Sequence, residues 1–132
     1  MNVLYEFTRP STSYQEPSLL LGDPRGGAVI EFMAEASEGL GTEIVGIVLN
    51  GVQWHQHFIE SSLHATYPER AYDQIIDLGE TDMLAKIKKA VENYRSRPES
   101  AEKAKQLKHL RVGSDSDSFD FICVDFEVFG DL

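Results

Sequence analysis

The sequence predicts an α+β fold, an antiparallel β-meander sheet with one main amphipathic helix packed on it. Strand-like runs fill most of the chain on both sides of a single helical segment. Glycine, proline and small polar residues separate those runs at short intervals, which suits antiparallel neighbours rather than long crossovers. Only the stretch from Asp82 to Arg95 repeats its apolar residues at helical spacing.

Residues 3–7 are β-rich, and the polar run at 8–13, with Pro10, predicts a loop. A short strand at 18–21 meets Gly22-Asp23-Pro24-Arg25-Gly26-Gly27, whose Asp-Pro and Gly-Gly steps supply the φ values of a tight turn. A hairpin into the next strand follows. There Ile30, Phe32 and Ala34 alternate with Glu31, Met33 and Glu35, the pattern of a strand with one wet face. Residues 43–52 are apolar at both parities, as in a central strand. Asn50-Gly51 tolerates the left-handed conformations of a type I′ turn, so residues 52–59 are expected to return as a hairpin strand.

Residues 61–70 read as irregular, and 71–78 as a further strand closed by Gly79. Thr81 or Asp82 can cap the helix, whose stripe of Leu84, Ile87, Val91 and Tyr94 is expected to lie on the sheet. Pro98 interrupts it. A short helical piece at 100–105, a strand at 107–112, a polar turn and a long β-rich segment at 119–129 complete the chain.

Residues 1–132 fit a single domain, and 42% hydrophobic with 26% charged residues is ordinary globular usage. No apolar run is long enough to span a bilayer, and the N-terminus lacks the features of a signal peptide. With Cys123 as the one cysteine, a cytoplasmic location is expected. The formal charge of −10 disfavours nucleic acid and anionic membranes as partners. Between Met83 and Arg111 lie nine of the twelve basic residues against three acids, a net of +6, which leaves −16 for the remainder. That asymmetry points either to a solvated basic helix or to an acidic face that meets a basic partner.

His55 and His57, in Trp54-His55-Gln56-His57, are the candidate metal ligands. On a strand they share one side about 7 Å apart, with Glu60 or His64 as a possible third ligand. Cys123 sits among Phe121, Ile122, Val124 and Phe126, the setting of a core thiol. The acids of Ser114-Asp115-Ser116-Asp117-Ser118 alternate as in a calcium loop, but Asp120 and Phe126 stand where glycine and glutamate are needed, which favours a hairpin loop. Glu80 and Asp82 suit a helix N-terminus, and Asp73 and Asp77 are possible acid/base groups. No nucleophile elbow, phosphate loop, dinucleotide fingerprint or Cys-x-x-Cys occurs, so no catalytic residue and no cofactor is assigned.

Three blocks carry a family resemblance: residues 47–52, residues 71–84, and residues 107–112 running into 119–128. They resemble small uncharacterised bacterial α+β proteins, some of which sit beside toxin genes and look like immunity proteins. The resemblance implies a β-meander with one packed helix, and it implies no catalytic residues. The functional expectation is therefore a non-catalytic protein-binding domain, possibly an immunity-like inhibitor with an acidic interaction surface. The alternatives are a small metal-dependent enzyme using His55 and His57, and a subunit that forms a homo-oligomer through an exposed strand within residues 119–129.

Overall fold

The structure, a computed structural model, describes residues 2–8, 18–21, 27–35, 41–59, 73–94, 98–113 and 117–131. Within them the strands are β1 (Asn2–Glu6), β2 (Ser18–Leu21), β3 (Ala28–Glu35), β4 (Thr42–Asn50), β5 (Trp54–Ile59) and β6 (Gln74–Asp77). Helices α1 (Asp82–Asn93) and α2 (Pro98–Gln106) follow, then β7 (Lys108–Gly113), β8 (Asp117–Cys123) and β9 (Asp125–Phe129). The strands form two antiparallel sheets: sheet A in the order β1-β6-β7-β8-β5, and sheet B in the order β2-β3-β4-β9. The predicted α+β class, with antiparallel strands and a packed amphipathic helix, is what the chain adopts.

Period-two alternation decides which side chains meet. Ala28, Ile30, Phe32 and Ala34 of β3 and Val45, Ile47 and Leu49 of β4 turn inward from sheet B. They meet Ile75, Leu110, Val112, Phe119, Phe121 and Cys123 of sheet A in one core. The opposite face of sheet A carries α1, through a smaller cluster of Leu84, Leu107 and Ile122 flanked by Trp54, Ile87, Val91 and Val124. The layers therefore run sheet B, sheet A, helices.

The sequence-predicted hairpin at Asn50-Gly51 is not formed. β4 pairs with β9 in sheet B, whereas β5 pairs with β8 in sheet A, so one two-stranded ribbon bends from one sheet into the other. Asn50 faces Asp125 and Trp54 faces Ile122, so residues 51–53 oppose only Cys123 and Val124. That extra residue is a β-bulge, with Gly51 at φ +65° supplying the left-handed conformation. The positive φ that Asn50-Gly51 signals is present at Gly51, where it serves a corner. The ladder holds across it through Gln53 N–H to Ile122 O at 2.8 Å and Val124 N–H to Asn50 O at 2.9 Å. Accordingly the long β-rich segment at 119–129 divides at Val124, with β8 inside sheet A and β9 at the edge of sheet B.

Three smaller expectations are also revised. Helix α1 ends at Asn93, with Tyr94 as C-cap, and Tyr94 is 60% exposed rather than buried on the sheet. Pro98 opens α2, a position where its missing N–H costs no intrahelical bond. The strand expected from residue 71 begins at Gln74; residues 71 and 72 lie outside the described residues. β2 pairs antiparallel with β3, and β7 with β8, as expected; residues 22–26 and 114–116 between them lie outside the described residues.

Candidate functional site

Among the described residues, the strongest concentration of chemistry is a buried polar group between sheet A and the start of α1. His109 and Arg111 are alternate residues of β7, and Arg111 faces Asp120 directly across the β7–β8 ladder. Arg111 Nε donates to Asp120 Oδ1 at 2.7 Å and Arg111 Nη2 to Oδ2 at 3.0 Å, while the guanidinium carbon lies 5.7 Å from the Phe58 ring centre. His109 Nε2 is 3.0 Å from the same Oδ2, and His109 Nδ1 is 2.6 Å from Thr81 Oγ1. Thr81 is the N-cap of α1, its Oγ1 accepting the Leu84 N–H at 3.1 Å.

One proton arrangement satisfies every group. An ionised Asp120 offers acceptors only, so His109 Nε2 carries the proton; the bare Nδ1 then accepts from the Thr81 hydroxyl. Thr81, His109 and Asp120 stand in the order of a nucleophile, its base and the group that orients the base. Their surroundings oppose that use. Trp54 closes over His109 edge-on at 5.7 Å, Asp120 is held at both oxygens by Arg111, and neither described groove is lined by any of the three. The group acts as an anchor that pins the helix N-terminus to the sheet.

Sequence reasoning passed over His109 and Asp120, and counted Arg111 among solvated basic residues. Arg111 is 1% exposed and paired. A signal was present: His109 and Arg111 alternate with Leu110 and Val112, and Asp120 stands between Phe119 and Phe121. Charged residues at one parity of apolar strands mark a polar layer, but only strand register shows that they meet.

The predicted metal ligands His55 and His57 sit on one exposed face of β5, an edge strand of sheet A. His57 stacks on Phe119 at 4.5 Å between ring centres, and His55 lies tilted 6.4 Å from Phe121. Glu60 and His64, the suggested third ligands, lie outside the described residues; among the described residues no three His, Cys, Asp or Glu groups converge on a metal position. Asp77 and Asp73 do not form a pair on one strand. Asp77 Oδ1 accepts the Gly79 N–H at 2.8 Å, and Asp73 occupies a turn at φ 48°. Cys123 is fully buried, and burial, reinforced by the charge of Asp125, pushes its thiol up to about 12. This is an inert core thiol.

Two grooves flank the helices. One of about 700 Å³ is lined by Gln53, Ile87, Val91 and Tyr94 together with Glu99, Ser100 and Lys103, with no His or Cys among its described lining residues. The second, about 450 Å³, holds Lys88, Lys105 and Lys108 with Glu80 and Asp125. Two of those lysines are engaged, Lys88 with Glu80 at 3.4 Å and Lys105 with Glu102 at 3.3 Å.

The outer face of sheet B is different in character. Val29, Ile44, Val48 and Phe129 point outward there beside Glu31, Asp125 and Glu127. Ile44 is 52% exposed and Phe129 39% exposed. Gly46 faces Phe129, and the ring occupies the space that a side chain at position 46 would fill. No described helix lies over this face.

Fold and site together define an α+β domain of two sheets and a helical layer, whose buried polar centre joins the N-cap of α1 to sheet A and whose outer sheet face, uncovered among the described residues, mixes apolar and acidic groups. Comparison with protein-family models, curated proteins and solved structures finds no match for this chain. No described helix is long and apolar enough to cross a membrane.

Proposed function

We propose that this chain is a non-catalytic protein-binding domain, an immunity-like inhibitor in mode, that meets a basic protein partner through an acidic surface. The outer face of sheet B carries the reading. An apolar centre of Ile44, Val48 and Phe129 beside Glu31, Asp125 and Glu127 has the composition of an interface: the apolar part contributes affinity on burial, and the charges set orientation and on-rate. The −16 outside residues 83–111 extends the same field over the rest of the chain. A cytoplasmic, reducing setting suits a lone buried thiol.

The test is to place a photoreactive residue at Ile44, identify what it captures, and measure association of that protein from low to high salt. A basic partner whose on-rate falls steeply as salt screens the acidic field, and whose binding is weakened by Phe129→Ala, is the expected result. A partner bound with no salt dependence would overturn the reading.

A second reading, a small metal-dependent enzyme, draws on the shared exposed face of His55 and His57. Stoichiometric metal in protein purified without a histidine tag, lost on replacing both residues by alanine, would place it first.

A further inference from the structure

We infer that the partner docks by strand addition, an extended basic segment pairing with β9 as a fifth strand of sheet B. This inference rests on the binding role proposed above and specifies its geometry. β9 ends the sheet order, with a regular ladder to β4 from Asn50↔Asp125 to Gly46↔Phe129 on one side and no ladder partner among the described residues on the other. An open edge presents a row of backbone donors and acceptors to any extended chain that arrives in register. Among the other edge strands, β1 is a poorer template because its pairing with β6 slips between Val3 and Tyr5.

Side chains on β9 then choose the occupant. Asp125, Glu127 and Phe129 are exposed on the outer face, and Phe126 and Val128 are half-buried against the inter-sheet core. An added strand places its own alternate residues beside each set. Lysine or arginine fits next to Asp125 and Glu127, an apolar residue next to Phe129, and apolar residues over Phe126 and Val128. The recognised pattern is therefore an alternation of basic and apolar residues. A second copy of β9 fits badly, since antiparallel pairing centred on Glu127 sets that carboxylate against its own copy, and like charges directly opposite are destabilising. The acids on this edge thus repel self-association while attracting a basic strand.

The test uses the full chain and a short synthetic peptide alternating lysine and valine, with a glutamate–valine peptide as control. Backbone amide exchange is read residue by residue with and without peptide. Alternate amides within Asp125–Phe129 should slow by about tenfold or more with the lysine peptide and remain unchanged with the control. In Glu127→Lys, checked for native circular dichroism, the preference for the lysine peptide should fall by about tenfold or invert. Absence of binding, or protection confined to other strands or to side-chain contacts, would overturn strand addition. If the captured partner still binds with steep salt dependence while β9 amides exchange as in the free protein, strand addition fails and the acidic-face reading stands.

Discussion

Arg111 and Asp120 face each other across the β7–β8 ladder in a two-point contact at 2.7 and 3.0 Å, with both residues 1% exposed. Such a pair contributes little net stability when intact, because desolvating two charges offsets their attraction; removing one partner is costly, since the other is left charged and buried. Asp120→Ala should destabilise the protein by about 3–5 kcal/mol in denaturant titration. Replacing both, Arg111→Met with Asp120→Leu, should cost less than Asp120→Ala alone. An exposed pair would show an effect below about 1 kcal/mol for every variant.

Thr81 belongs to the same network and to the helix. Its hydroxyl accepts the Leu84 N–H and meets His109 Nδ1. Thr81→Ala should therefore lose an N-cap, about 1 kcal/mol, and also orphan a buried ring nitrogen, about 1–3 kcal/mol. Thr81→Ser keeps the hydroxyl and should recover most of the loss. If the two variants unfold at the same denaturant concentration, the hydroxyl is not what ties α1 to the sheet.

The helix stripe was predicted as four buried residues and is graded instead. Leu84 is 2% exposed in the cluster with Leu107 and Ile122, Ile87 and Val91 are half-buried, and Tyr94 is 60% exposed. Leu84→Ala should cost about 2–5 kcal/mol through lost transfer energy and a residual cavity. Tyr94→Ala should change stability by no more than about 0.5 kcal/mol. Equal effects at the two positions would refute this packing.

What the sequence made legible follows from local physics. Alternation identified β3, and helical spacing identified α1. Gly51 shows where local reading stops. A positive φ is needed both in a type I′ turn and in a bulge, so Asn50-Gly51 fits a hairpin and a sheet-to-sheet corner equally well. The choice was made by non-local pairing, β4 with β9 and β5 with β8. The same limit hid the polar centre, whose members Thr81, His109, Arg111 and Asp120 come from two strands and a helix cap. His55 and His57 were correctly placed on one face, because a strand's period of two needs no tertiary information.

Stability should fall at alkaline pH, and Cys123 sets the size of the effect. Its thiol is held up from 9.0 to about 12, first by burial and then by the charge of Asp125, with Lys108 acting in the opposite sense. Below pH 9 the thiol is protonated whether the chain is folded or not. Between about 9 and 12 the unfolded chain releases this proton while the folded chain keeps it. The native state then binds more protons, so the unfolding free energy decreases as pH rises. Three pH units correspond to at most about 4 kcal/mol lost by pH 12. Tyr5 acts in the same direction: its hydroxyl donates to Asp131 Oδ2 at 2.6 Å, and this bond, with burial and the carboxylate charge, raises the phenol from 10.0 to about 12. Denaturant titrations at pH 8 and pH 11 should therefore show a drop for the native sequence that shrinks in Cys123→Ala. The comparison is between the two pH values within each variant, which cancels the cavity cost of the substitution. In parallel, Asp131→Asn should move one tyrosine to lower pH in an absorbance titration. A pH-dependent drop of the same size in Cys123→Ala and in the native sequence would remove the buried thiol as its source.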